Sequence, residues 1–141
     1  MANAIFNSFK RDIANGSINL ATDAVKIMLV GSAYTPNIDT HAKRSDVTNE
    51  VSGTGYTAGG VALVNKAVTM NTTSDKGVFD ADDITLANAT ITARGAVLYK
   101  ARGGVSSADE LIAYLDFGAD ITSTAGNFNI AFDTNGIITI G

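Results

Sequence analysis

The chain has no cysteine and no tryptophan, one proline and one histidine, and only 17% of its 141 residues are charged. A typical soluble domain carries roughly 25% charged residues. Without cysteine there are no disulfide staples, no thiolate nucleophile and no Cys-based zinc or iron–sulfur site. Basic residues are also too few for a nucleic-acid partner. The net charge is −4 and the pI about 4.7, whereas a phosphate backbone is met by clustered Lys and Arg. Lys10, Arg11 and Asp12 interrupt the N-terminal apolar residues, so no signal-peptide core is expected. No run approaches the roughly 20 apolar residues of a membrane helix, so no membrane partner is expected.

What is present is Thr, Asn, Ala and Gly in alternating patterns. Ile5, Phe6, Phe9 and Ile13 recur at helical spacing and predict one helix over residues 4–14. Asn3 is the expected N-cap, and Asn15-Gly16 the stop. A helix this short must dock on its own sheet or on a neighbour.

From Val25 the period changes to two. Val25, Ile27 and Leu29 share one face of a strand. Ile91, Ala93, Gly95, Val97 and Tyr99 alternate with Thr90, Thr92, Arg94, Ala96 and Leu98; Leu111, Ala113, Leu115 and Phe117 form another set, and Phe128, Ile130 and Phe132 a third. Val61 to Met70 predicts a strand, followed by a turn at Thr72-Thr73-Ser74-Asp75 and short runs at Val78-Phe79 and Ile84 to Leu86. Thr134-Asn135-Gly136 between two alternating runs predicts a hairpin. About seven or eight short antiparallel strands are expected. They make a single β-sandwich domain over residues 1–141, jelly-roll-like, with one short N-terminal helix.

Residues 31–60 stand apart. They hold Pro36, His41, the basic pair Lys43 and Arg44, and the glycines Gly53, Gly55, Gly59 and Gly60. Connections this long are uncommon in a compact domain and often functional. The stretch is expected to be an interaction loop or arm, with a helical turn or two between Ser45 and Val51.

No catalytic, cofactor or metal constellation emerges. His41 with Asp39 is the sole candidate for a Ser-His-Asp arrangement, and nothing fixes such a pair in a loop. Asp80, Asp82 and Asp83 have oxygen ligands suited to Ca²⁺, but the glycine and closing Glu of an EF-hand loop are missing. An acidic turn between strands is the simpler account. The glycines before Val61 precede a strand rather than a helix, so they do not form a phosphate loop. Arg102-Gly103-Gly104 is expected to be a turn. Tyr34, Tyr56, Tyr99 and Tyr114 are scattered along the chain and suggest no stacking platform.

Several strings together carry a resemblance. They are Ile5-Phe6-Asn7-Ser8-Phe9-Lys10, Tyr34-Thr35-Pro36, Asp46-Val47-Thr48-Asn49-Glu50-Val51, Gly53-Thr54-Gly55-Tyr56, Phe79-Asp80-Ala81-Asp82-Asp83 and Leu115-Asp116-Phe117-Gly118. Over nearly the whole chain the sequence resembles small virion proteins of tailed phages, in particular capsid decoration or cement proteins of short-tailed phages. The resemblance implies a non-enzymatic structural protein on the capsid exterior, assembled in the host cytoplasm. Its implied partners are the major capsid protein and further copies of itself, as a dimer or trimer. Phe6, Phe9 and Lys10 on the helix, with Pro36, His41, Lys43 and Arg44 on the loop, are the expected partner contacts. The alternatives are a tail, neck or fibre component, and a receptor- or carbohydrate-binding β-sandwich.

Overall fold

In the computed structural model, which describes residues 3–141, the chain is mainly β and forms two antiparallel sheets with one α-helix. The strands are β1 (Ala4–Ile5), β2 (Val25–Val30), β3 (Val61–Ala62), β4 (Ala67–Asn71), β5 (Lys76–Asp80), β6 (Ile84–Lys100), β7 (Leu111–Ile130) and β8 (Ile138–Ile140), and the helix is α1 (Asn7–Ala14). One sheet has the order β1-β7-β6-β2-β3 and the other β4-β5-β8. The sandwich is therefore split unequally, five strands against three.

The helix starts three residues later than its apolar stripe suggests. Ala4 and Ile5 pair with Tyr114 and Ala113 of β7, and extended Phe6 is the N-cap. Asn3 does not cap the helix; its side-chain oxygen accepts from the Asp116 N–H. The C-terminal end is as expected: Asn15 N–H donates to Arg11 O, and Gly16 takes φ +82°.

The short runs expected after Ile84 join into one long hairpin, β6 against β7. Strict alternation fails inside it because of bulges. Register shifts fall between Leu86 and Ala89 and between Ala93 and Gly95. β6 carries one extra residue at the first shift and β7 three at the second; the apolar parity of β6 changes at each, and Leu86, Ala89, Ile91, Ala93, Ala96 and Leu98 all reach the main core. Val97 and Tyr99 turn to the opposite face instead, which separates them from Ile91 and Ala93.

Two cores result. The main one lies between the sheets and takes in Phe79 and Ile138 of the small sheet and Phe9 of α1. A second lies on the other face of the five-stranded sheet, where Phe6, Met28, Val30, Tyr34, Val97, Tyr99, Leu111 and Tyr114 meet. The lower half of the hairpin is thus buried on both faces and its upper half on one.

Two further expectations are corrected. The strand expected from Val61 to Met70 is broken at Asn65, which has φ +54°; β3 stays in the large sheet while β4 joins the small one. The turn at Asn135-Gly136 exists, with Gly136 at φ +109° and its N–H on Asp133 O. It does not close a hairpin. β8 crosses to the other sheet and pairs with β5, where Phe79 offers a buried partner to Ile138.

Candidate interaction surface

Residues 31–60 are folded back along the body rather than held out as an arm. Their backbone is tied down at Val30↔Glu50, Lys43↔Glu110 and Thr54↔Thr90. Tyr34 is buried in the second core. The helical segment is a single 3-10 turn, Arg44–Asp46, instead of a turn or two from Ser45 to Val51. Asp46 holds this turn by accepting from the Ala42 and Lys43 N–H groups at 2.9 and 3.0 Å. These two hydrogen bonds hold its carboxyl below the usual carboxylate range.

The expected contact residues divide. Phe6 and Phe9 are 0% and 1% exposed. They fill the chain's own cores, which removes them as partner contacts: the helix packs on its own sheet. The basic pair is also engaged internally. Arg44 Nε donates to Asp109 Oδ2 at 2.7 Å, and its guanidinium carbon lies 5.1 Å from the Tyr99 ring centroid. Lys43 Nζ lies 3.9 Å from Glu110 Oε1. Both carboxylates are buried on β7's lead-in and satisfied from several sides. The Arg102 N–H donates to Asp109 at 2.9 Å, and the Arg102 guanidinium forks onto Glu110 with two 2.6 Å bonds. That fork is the main reason the Glu110 carboxyl sits below its ordinary range. An Arg44 or Lys43 drawn to a partner would leave buried charge behind.

Lys10, Pro36 and His41 remain at least partly accessible. Asn7 Nδ2 donates to Asp39 Oδ1 at 2.6 Å, Asn7 N–H donates to Ile38 O, and Lys10 Nζ donates to Asn7 Oδ1 at 3.2 Å. The loop tip and the helix start therefore form one patch. His41 stacks on Tyr34, and its Nδ1 meets the Tyr34 hydroxyl at 3.0 Å and accepts the Asn37 N–H at 3.2 Å. Asp39 faces Asn7 instead, so the two residues do not form a His–Asp pair.

The tyrosines scattered in sequence gather in the fold. Tyr34 packs edge-on to Tyr114 with ring centroids 5.9 Å apart. Tyr56 Oη donates to Glu50 Oε2 at 2.6 Å and accepts the Leu29 N–H at 3.0 Å; the same Glu50 oxygen accepts the Gly59 N–H at 2.7 Å. Burial first, then the bond to Glu50, pushes the Tyr56 phenol well above its usual range. The Tyr99 hydroxyl donates to Gly59 O. A cavity of about 320 Å³ lies here between Lys26, Arg44, Glu50, Tyr99 and Asp109. Arg44 and Asp109 are paired with each other there, and Glu50 is hydrogen-bonded to Tyr56 and Gly59, so the site latches the glycine-rich segment to the sheet. Long-range pairing on the β-sheet hid this gathering from linear spacing.

The acidic turn is local architecture. Asp80 accepts from Ala81 N–H, Asp82 from Asn65 Nδ2 and Asp83 from Phe132 N–H. No cluster of three metal-ligating side chains occurs among the described residues.

No protein-family model matches this chain, and no curated protein or solved structure matches it either.

The surface that linear motifs missed is the outer face of the upper hairpin. Thr85, Thr90, Thr92, Thr122, Thr124 and Asn129 are exposed on it. They are linked across strands by Thr85 Oγ1 to Asn129 Oδ1 and Thr92 Oγ1 with Thr122 Oγ1, both at 2.9 Å. In residues 84–93 and 118–130 only Asp120 is charged. A groove of about 600 Å³ runs beside this face, lined by Asn49, Glu50, Thr90, Thr92, Thr122 and Thr124. No helix among the described residues is long and apolar enough to cross a membrane.

Proposed function

We propose that the chain is a structural virion protein that binds the outer surface of a phage capsid through contacts with the major capsid protein. The observation that carries this reading is the charge-poor Thr/Asn face of the β6–β7 hairpin. Interface cores are depleted in charge, because every ion buried there must be desolvated. A face of hydroxyls and amides loses little on that account and still supplies directional hydrogen bonds. The hairpin's cross-strand pairing holds the face ready, so little ordering cost attends binding. The sequence resemblance to capsid decoration proteins supplies the partner.

The contact moves with this geometry. Phe6, Phe9, Lys43 and Arg44 hold the body together, and the threonine face beside the 31–60 loop carries the attachment, with Lys10, Pro36 and His41 at its periphery. The test is co-sedimentation of the purified chain with capsid shells of the same phage. Wild type should pellet with shells at a saturating ratio set by shell symmetry. Thr122→Arg places a charge on the face and should abolish pelleting while leaving the fold intact. Retained binding by Thr122→Arg would remove this face from the interface. Saturation at only a few copies per particle would favour a tail or neck component.

A further inference from the structure

The small sheet ends in an unusually open strand. Of the four strands that terminate the two sheets, β1 and β3 have two residues each and β8 three, whereas β4 has five, all exposed. An edge strand turns unpaired N–H and C=O groups outward, and proteins commonly blunt such edges with Lys, Pro, a bulge or a covering loop. β4 reads Ala67-Val68-Thr69-Met70-Asn71 and has neither charge nor proline. Its pairing with β5 runs without a register shift.

The same strand overhangs the core. Val68, Phe79 and Ile138 are paired in one row across the small sheet, and Met70, Gly77 and Ile140 in the next on the same face. Phe79 and Ile138 are buried, but Val68, Met70 and Ile140 are 53%, 82% and 46% exposed. An apolar row thus runs to a free edge and stops there.

We propose that β4 pairs antiparallel with β4 of a second copy of this chain about a two-fold axis at Thr69. The strand is complementary to itself. With Thr69 opposite Thr69, Val68 falls opposite Met70 and Ala67 opposite Asn71. Lys66, the nearest charge, falls opposite Thr72, so no like charges confront one another. A two-fold axis normal to the sheet keeps both copies on the same face. The exposed row Ile140-Gly77-Met70 of one copy is then continued by the row Val68-Phe79-Ile138 of the other. The two small sheets become one continuous sheet, with outward backbone groups paired as in strand addition. This pairing rests on β4 alone and stands whether or not the chain binds a capsid.

The axis residue gives a sharp test. Thr69→Lys and Thr69→Glu each place like charges opposite each other, at an exposed position the monomer does not use for packing. Sedimentation analysis of the full chain should show a dimer for wild type and loss of dimer for either variant. An equimolar mixture of the two variants should recover it, because Lys then faces Glu. Unmutated protein provides a second readout: amide exchange in residues 67–71 should slow as concentration rises. A wild-type chain that stays monomeric up to its highest soluble concentration would overturn the proposal. So would a dimer indifferent to both substitutions, or amides in β4 whose exchange ignores concentration.

Discussion

Gly60 enters β3 at φ +81°, and a Cβ placed on it would lie 1.9 Å from Ile27 O. The backbone of β2 leaves no room for any side chain there. Gly103 has nearly the same φ, +83°, with no atom within 4 Å of its Cβ position. Gly103→Ala should therefore cost only the left-handed strain, about 1–2 kcal/mol. Gly60→Ala adds a backbone collision to that strain and should be markedly worse. Urea unfolding of the two variants measures the difference, and equal midpoints would contradict the close approach. Phe6 and Phe9 make a related case. Each truncation to Ala should destabilise the fold by about 3–5 kcal/mol, read from the same unfolding curves. Unchanged midpoints would put these rings at a surface. Their helical spacing marks both as apolar in sequence, but spacing cannot say that Phe6 caps the helix and enters one core while Phe9 enters the other.

The elements divide by how local their causes are. The turn at residues 72–75 was legible because Asn71 Oδ1 accepts the Thr73 and Ser74 N–H groups within the turn itself. The strand content was legible for the same reason. The merging of four short runs into β6 and β7 was not, because bulges near Asn88 and Arg94 reset the parity that alternation relies on. Nor was the destination of β8, which depends on which sheet offers the better buried partner. Residues 31–60 look like an arm by composition, yet Asp109 and Glu110, distant in sequence, bind the loop's basic pair. Deleting residues 36–44 should accordingly destabilise the whole domain rather than free it of an appendage. Arg44→Met, which keeps the stem over Tyr99 but leaves Asp109 without its charge partner, should cost about 3 kcal/mol. Thermal melts of both variants check this, and a melt unchanged in either would restore the arm.

For the molecule as a whole, charge is sparse but organised. Asp46, Glu110 and Asp116 are each held below their ordinary range, by the Ala42 N–H, the Arg102 guanidinium and the Gly118 N–H respectively as leading causes. A carboxyl depressed in the fold stabilises it above its unfolded pKa, about 4, and loses that contribution as pH falls through the lower folded value. The urea midpoint should therefore fall progressively below about pH 4; a midpoint that held steady down to pH 2 would contradict the carboxylate network. The charge-poor surfaces are the other side of this distribution. Composition signalled them as a shortage of Lys and Glu, but only the folded hairpin shows them concentrated on one outer face. The proposed attachment to a capsid shell through that face is the central claim, and a cryo-EM map of phage capsid shells incubated with this chain tests it most directly. The account predicts density for the β-body at many symmetry-related positions on the outer shell, with Thr92, Thr122 and Thr124 against the capsid protein. Shells bare of it, or copies attached with that face open to solvent, would contradict it.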